Sequence, residues 1–183
     1  RYGLTRACLE ILLRYGYPIT LLTKSALAAR DLDLMKGKPD LELGVTVTTG
    51  DESLRRLVEP GASPTRDRLA LLGQARSMGI RTYAFLGPFL PHLSDTEENL
   101  SFLIHQIAEI GVDFCYADIL NPRPKVWSSL RPLLECNFPG QVAMTGRILY
   151  NTKERYRYQE AIRARILRIA ERASLQGEIH FCF

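Results

Sequence analysis

Four apolar runs along the chain each end in a short polar or Gly/Pro cluster and then pass into a stretch with helical spacing. The runs are 19–22 into Thr23-Lys24-Ser25, 41–47 into Thr48-Thr49-Gly50-Asp51, 82–86 into Gly87-Pro88, and 112–120 into Asn121-Pro122-Arg123-Pro124. Strands of a parallel sheet are covered on both faces, so they read as nearly continuous apolar runs, and their ligands bind at the carboxyl ends. The pattern predicts an α/β protein built from βα units, with the polar clusters as the first place for chemistry.

The intervening stretches carry helix signals. Leu4, Ala7, Cys8, Ile11 and Leu12 have helical spacing within a helix expected over 5–14, which stops at Gly16 before Pro18. Ser25 can cap a short helix over 26–35, and Asp51 a brief one that packs Leu54, Leu57 and Val58 before Glu59-Pro60-Gly61 breaks it. Ser63 at N-cap and Pro64 at N1 predict a longer helix with the stripe Leu69, Leu72, Ala75 and Met78. Ser94 and Glu97 match a capping box ahead of Leu100, Leu103, Ile104, Ile107 and Ala108. Past Pro124 the rhythm changes: a short helix over 127–136, a turn at 138–140, a long basic helix over 152–174 and a strand-like end over 178–183. The division expected is a partial barrel over 1–122 and a helical extension with a terminal strand over 123–183.

The 183 residues suffice for one cored domain, and 46% hydrophobic content is ordinary for a globular protein. No run reaches the roughly 18 apolar residues of a membrane span, and the start is not a signal segment, so a soluble cytoplasmic protein is expected. The helix at the very start, with no initiator Met or preceding strand, reads as part of a longer polypeptide. A net charge of +4 favours anionic partners weakly. Cys8, Cys115, Cys136 and Cys182 are scattered, and His92, His105 and His180 lack metal-ligand spacing, so no metal site is expected from this chain.

Several residues could carry chemistry, each beside a plainer role. Lys24 at a buried strand's end can meet a carboxylate or phosphate, or be a surface lysine. Thr46 and Thr48 alternate to one face of the second strand, Thr49 to the other, where hydroxyls can meet a ligand or simply suit a strand. Glu59 either binds a ligand hydroxyl or closes a helix. Gly87 permits close backbone approach to a flat ligand or forms a rigid turn. Asp118 and Asn121 close the fourth strand and can orient a substrate. Cys115 is a speculative reactive thiol and more simply a packing residue. The basic stretch with Lys153, Arg155, Arg157, Arg163, Arg165, Arg168 and Arg172 near Tyr150, Tyr156 and Tyr158 can track a phosphate backbone or be a solvated helix face.

The strings Leu22-Thr23-Lys24-Ser25, Val45-Thr46-Val47-Thr48-Thr49, Leu57-Val58-Glu59-Pro60-Gly61 with Ser63-Pro64 and Arg68-Leu69, and Gly87-Pro88 with Pro91 stand in one order. In that order they resemble the radical S-adenosylmethionine (radical SAM) proteins of the spore photoproduct lyase-like group, over about residues 17–121. The resemblance implies a partial TIM-type barrel, about four parallel βα units of a (β/α)6 barrel. It also implies a reaction begun when a [4Fe–4S] cluster reductively cleaves S-adenosylmethionine to a 5′-deoxyadenosyl radical, with an external electron donor. It puts Lys24 near the methionine carboxylate, Thr46 near the ribose or amino-acid part and Gly87 near the adenosyl group, and it groups Thr48, Glu59 and Asn121 with the cofactor site. The family's C-x3-C-x2-C cluster loop is absent, and it would lie upstream of Arg1. The chain is therefore expected to be a C-terminal portion of a lyase-like enzyme, inactive alone, acting on an unidentified substrate for which DNA or RNA is one option. The competing readings are a basic nucleic-acid-binding module without catalytic activity, and a barrel enzyme using Lys24 in Schiff-base chemistry, which needs a desolvated lysine.

Overall fold

In the computed structural model, which describes residues 3–183 apart from the side chain of Pro124, five strands form one sheet in chain order, every neighbouring pair parallel. They are β1 (Ile19–Thr23), β2 (Leu41–Val47), β3 (Arg81–Phe89), β4 (Phe114–Ile119) and β5 (Glu178–Phe181). Parallel neighbours need crossovers, and helices supply them. A 3-10 turn (Ala26–Asp31) and α2 (Leu32–Met35) join β1 to β2, α3 (Glu52–Val58) and α4 (Thr65–Ser77) join β2 to β3, and α5 (Glu97–Ile110) joins β3 to β4. Then α6 (Pro124–Asn137), α7 (Val142–Tyr150) and α8 (Thr152–Arg172) lead to β5, while α1 (Leu4–Arg14) precedes the sheet. The pattern of runs predicts these parallel βα units, and they form the partial (β/α) barrel that the resemblance implies. No helix of the described residues is long and apolar enough to cross a membrane.

Strand alternation divides the sheet into two unlike faces. Leu41, Leu43, Val45 and Val47, then Ala84 and Leu86, then Cys115, Ala117 and Ile119 join the main core with Leu69, Leu72 and Ala75 of α4 and the apolar stripe of α5. Burying one such Leu or Ile side chain contributes about 1.5–3 kcal/mol. Ile162, Ile166, Ile169 and Ala170 of α8 enter the same core, and β5 extends the same sheet. The opposite face carries aromatic residues. Tyr83 stacks on Phe114 with centroids 5.1 Å apart and planes 5° from parallel, Phe114 and Tyr116 meet edge-on, and the Tyr116 and His180 rings are 5.3 Å apart. The Tyr83 ring lies over β2 because Gly44 stands opposite it in register; a Cβ there would come 2.2 Å from the ring.

Local details depart from the sequence expectations where tertiary partners compete for the same groups. Ser63 does not cap α4: its hydroxyl accepts from Ala26 N–H at 2.9 Å, and Pro64 occupies the N-cap position. Thr96, not Ser94, caps α5, accepting from Asn99 N–H, because the Ser94 hydroxyl is taken by Leu90 N–H at 2.8 Å. Leu57 is exposed rather than packed. The third strand runs on to Phe89, and the fourth begins only at Phe114, because the Val112 N–H still bonds the Ile107 carbonyl at the end of α5. Helix α7 was not expected.

Gly44→Ala forces a methyl into the Tyr83 ring. We expect a loss of about 1–3 kcal/mol of stability by urea denaturation, the usual cost of overpacking. In a Tyr83→Ala background the same change costs markedly less, because the ring it meets is gone.

Candidate functional site

The carboxyl ends of β1, β2 and β3 converge on one buried carboxylate. Asp51 caps α3 by accepting from Ser53 and Leu54 N–H, the helix runs one short course, and Glu59 follows it at the C-cap. The Glu59 side chain is 7% exposed. Its Oε1 accepts from Lys24 Nζ at 2.8 Å and from the Thr48 hydroxyl at 2.7 Å. The Gly87 carbonyl, 3.2 Å from the Thr48 hydroxyl, is a second acceptor within reach of the same proton. Glu59 Oε2 lies 3.0 Å from Nη2 of Arg68, an ion contact without the geometry of a directed hydrogen bond.

Arg68 is fully buried on α4, beneath the strand ends. Its Nη1 donates to the Thr46 carbonyl at 2.6 Å, just past the last β1–β2 pair at Thr23 and Val45, and its Nη2 is 3.5 Å from the Thr65 hydroxyl. Thr65 in turn donates from its hydroxyl to the Thr49 carbonyl and from its own N–H to the Glu52 carboxylate. Arg55 spans the turn by donating to the carbonyls of Glu59 and Ala62. The loop bearing Lys24 is held from the same turn, Ser63 N–H bonding the Lys24 carbonyl and the Ser63 hydroxyl accepting from Ala26. Residues 59–65 are thus a clip joining the ends of β1 and β2 to the start of α4.

Burial pushes the Glu59 carboxyl toward its neutral form, but the hydrogen bonds from Lys24 and Thr48 and the charges of Lys24 and Arg68 outweigh it and hold the group below the ordinary glutamate range. The cluster holds two cations and one carboxylate. It opens into a cleft of about 430 Å³ in which Lys24, Thr48 and Glu59 are part of the lining. Val58, Pro88, Leu90, Leu120 and Leu130 give it apolar walls, and Lys125 adds a cation at the rim. An amphipathic cleft of this size suits a small molecule with an anionic end and an apolar end.

The structure brings Lys24, Thr48, Glu59 and Gly87 into contact, and Thr46 joins through its carbonyl. Asn121 stands apart: it is exposed, and its carbonyl accepts from Arg123 N–H. Gly87 owes its missing side chain to β4, since a Cβ would come 2.3 Å from the Asp118 carbonyl at a φ of +115°. Cys115 points into the helix-side core, fully buried, with burial pushing its thiol up to about 12, whereas Tyr116 faces the aromatic side. Asp118 is raised by burial against the Ile119 N–H and Arg155. Lys24 is 44% exposed and ion-paired, so it lacks the desolvation that a Schiff-base lysine requires.

Five of the seven basic residues singled out at the C-terminal helix contact the chain itself, Arg157 through Glu154 at 3.7 Å. Arg155 donates to the Leu120 carbonyl, Arg165 to the Asp95 carbonyl and Arg168 to Glu97, while Arg163 sits 4.5 Å over the Phe181 ring. Among the described residues no group of three His, Cys, Asp or Glu is placed to hold a metal ion. In the sequence, Arg68 stands out only as part of the Arg68-Leu69 string. Its signal was there: it stands four residues before Leu72 and three after Thr65, on the inward side of its helix.

No protein-family model matches the chain. It is 31% identical over 126 residues to Uncharacterized protein ORF301 of Acidianus two-tailed virus, spanning 67% of this chain and 42% of that protein. It is 35% identical over 114 residues to Uncharacterized protein Rv2578c of Mycobacterium tuberculosis, spanning 61% of this chain and 34% of that one. The chain therefore covers less than half the length of these relatives. Among solved structures it is similar to spore photoproduct lyase complexed with dinucleoside spore photoproduct, at a TM-score of 0.67 and 13% identity over 98% of this chain and 56% of the other. Streptococcus suis SuiB bound to S-adenosylmethionine aligns at a TM-score of 0.51 and 13% identity, over 79% of this chain and 33% of that one. The chain thus shares its fold with spore photoproduct lyase over nearly its whole length.

Removing the carboxylate strands a buried guanidinium. Glu59→Ala should cost about 3–5 kcal/mol in denaturant unfolding, the penalty for breaking one side of a buried ion pair. A carboxyl depressed in the folded state contributes stability that is present above its unfolded value, about 4.3, and lost as pH falls through the folded value. Glu59→Gln should accordingly flatten the acid limb of the stability–pH curve below about pH 4.3.

Proposed function

We propose that this chain supplies the S-adenosylmethionine-binding side of a cytoplasmic radical SAM enzyme, of lyase-like kind, that begins radical chemistry by reductive cleavage of that cofactor. The observation that carries the reading is the net cationic Lys24–Glu59–Arg68 cluster at the strand ends, opening into a cleft with apolar walls. Spore photoproduct lyase with bound AdoMet shares the fold at a TM-score of 0.66, covering 96% of this chain. In this reading Lys24 holds the methionine carboxylate, and the end of β2 at Thr46 and Thr48 borders the ribose or amino-acid part. The exit of β3 after Gly87 lies toward the adenosyl group. Glu59 orients Lys24, and the apolar walls exclude water from the flat end of the ligand.

When S-adenosylmethionine and a reduced [4Fe–4S] cluster are both in place, they supply the reductive cleavage, the electron coming from an external donor. The four cysteines of this chain do not fit a cluster: Cys115 is locked in the core, and no three potential ligands gather among the described residues. We therefore assign the cluster ligands to sequence outside these 183 residues and expect the chain alone to be inactive. Nucleic acid is the substrate class that the dinucleoside-bound neighbours support by analogy of fold. On this chain the surface able to stack on a base is the aromatic sheet face at Phe85, Tyr116 and His180 rather than the committed arginines of α8.

Equilibrium dialysis with S-adenosylmethionine tests the reading. Lys24→Met should weaken binding at least about tenfold, the scale of one charge-assisted contact, and an unchanged affinity overturns the assignment of Lys24. Anaerobic reconstitution of the chain with iron and sulfide should yield no stoichiometric cluster absorbance, and its appearance would overturn the assignment of the ligands elsewhere.

A further inference from the structure

We infer that Arg68 is a positioning residue of the strand-end site: acting through Glu59, it leaves Lys24 with uncompensated positive charge, so that the cleft takes a ligand carboxylate. The inference rests on the cofactor reading above and deepens it.

Lys24 and Glu59 alone would be a neutral pair, with the ammonium drawn inward to a carboxylate and little attraction left for an anion. Arg68 changes that sum without touching the cleft. It is fully buried, and its contacts are Glu59 Oε2 at 3.0 Å, the Thr46 carbonyl at 2.6 Å and the Thr65 hydroxyl at 3.5 Å. The carboxylate is shared between its two oxygens, one turned to Arg68 and one to Lys24 and Thr48. Lys24 spends one of its three donors on Glu59 and remains 44% exposed at the mouth.

The three groups at the strand ends sum to one positive charge, opposite in sign to a ligand carboxylate. A buried ion pair is not in itself a stabilising choice, because a well-packed apolar pair of the same volume commonly does as well or better. Arg68 also keeps its Nε without a hydrogen-bond partner among the described residues, a cost that adds to that of burying the pair. Its return is electrostatic: in a water-poor setting, a fixed charge a few ångströms below the cleft acts on a ligand more strongly than one in solvent.

The test compares S-adenosylmethionine with its decarboxylated form, which lacks only the carboxylate, on the 183-residue chain. Arg68→Gln should weaken S-adenosylmethionine about tenfold or more and leave the decarboxylated ligand within about twofold. The double variant Arg68→Gln/Glu59→Gln should bind S-adenosylmethionine better than Arg68→Gln alone, because Lys24 is then freed of its counter-charge. Arg68→Lys, which keeps the charge, should preserve the preference for the carboxylate-bearing ligand.

Equal losses for the two ligands in Arg68→Gln, or a double variant no better than the single one, would show that Arg68 only supports the fold and overturn the inference. Should Arg68→Gln not fold, the double variant and Arg68→Lys decide it: both should keep the preference, and its collapse in either overturns the inference. Absence of S-adenosylmethionine binding by the unaltered chain sinks the cofactor reading and this inference with it. Binding that Arg68→Gln leaves untouched sinks this inference alone.

Discussion

The strand-end region depends on the burial of one carboxylate. Taking Glu59 out of water carries a penalty of several kcal/mol unless charges and donors meet it. The groups that meet it come from separate places in the chain: Lys24 from the exit of β1, Thr48 from the exit of β2 and Arg68 from α4. Because all three must reach the same two oxygens, the ends of two strands and the start of a helix are fixed relative to one another. Ser63, Arg55 and Thr65 add bonds from the same turn to the backbone of the β1 exit, of the turn itself and of the β2 exit. Sequence-distant strings that stand in one order are thereby one physical object, a clip around Glu59.

Much of this fold was legible in the chain, and the reason differs by element. The second strand was read to its boundaries because Leu41, Leu43, Val45 and Val47 recur at alternate positions and all of its residues but Glu42 are buried. Capping was less legible where two candidates stood close together. Ser94-Asp95-Thr96-Glu97 offers two hydroxyls, and spacing alone cannot reveal that the Leu90 N–H takes the first. The helix over Val142–Tyr150 was missed because Gly146 weakens its local signal. That glycine sits against the Trp127 ring, where a Cβ would come 3.4 Å from it, and no local pattern shows such a neighbour. Arg68 was hidden for a similar reason: a charged residue on an inward stripe is read as an interruption until the carboxylate that meets it is known.

The two faces of the sheet divide stability from chemistry. Val45, Val47, Ala84, Leu86, Cys115 and Ala117 turn toward the helices and build the core, so Cys115 is inert packing despite standing in the strand that also carries Tyr116 and Asp118. One residue of offset decides between the two roles, since alternation sends each side chain to the face its neighbour avoids. The α8 arginines show the same distinction at the surface. A run that looks like a phosphate-binding stripe in sequence is largely spent on carbonyls, Glu97 and an aromatic ring that attach α8 and β5 to the rest.

Gly87 shows how function and fold can compete for one explanation. Its lack of a side chain fits a flat ligand approaching the strand exit, yet the atom it makes room for is the Asp118 carbonyl of the neighbouring strand. The glycine lets β3 and β4 close together at their ends, and its own carbonyl stands within reach of Thr48. Any flat ligand in the cleft must then find its apolar partner elsewhere, and Pro88 within β3 together with Leu90 and Leu120, directly downstream of the two strands, provides it. The resulting polarity, a shared carboxylate with surplus positive charge at one end and aliphatic walls at the other, fixes which way round an amphipathic ligand lies. Under the proposed reading the methionine carboxylate is anchored over Glu59 and Lys24, and the adenosyl end is directed along the exit of β3 toward α6. The orientation follows from the placement of charge, with Gly87 contributing only the closeness of the strands.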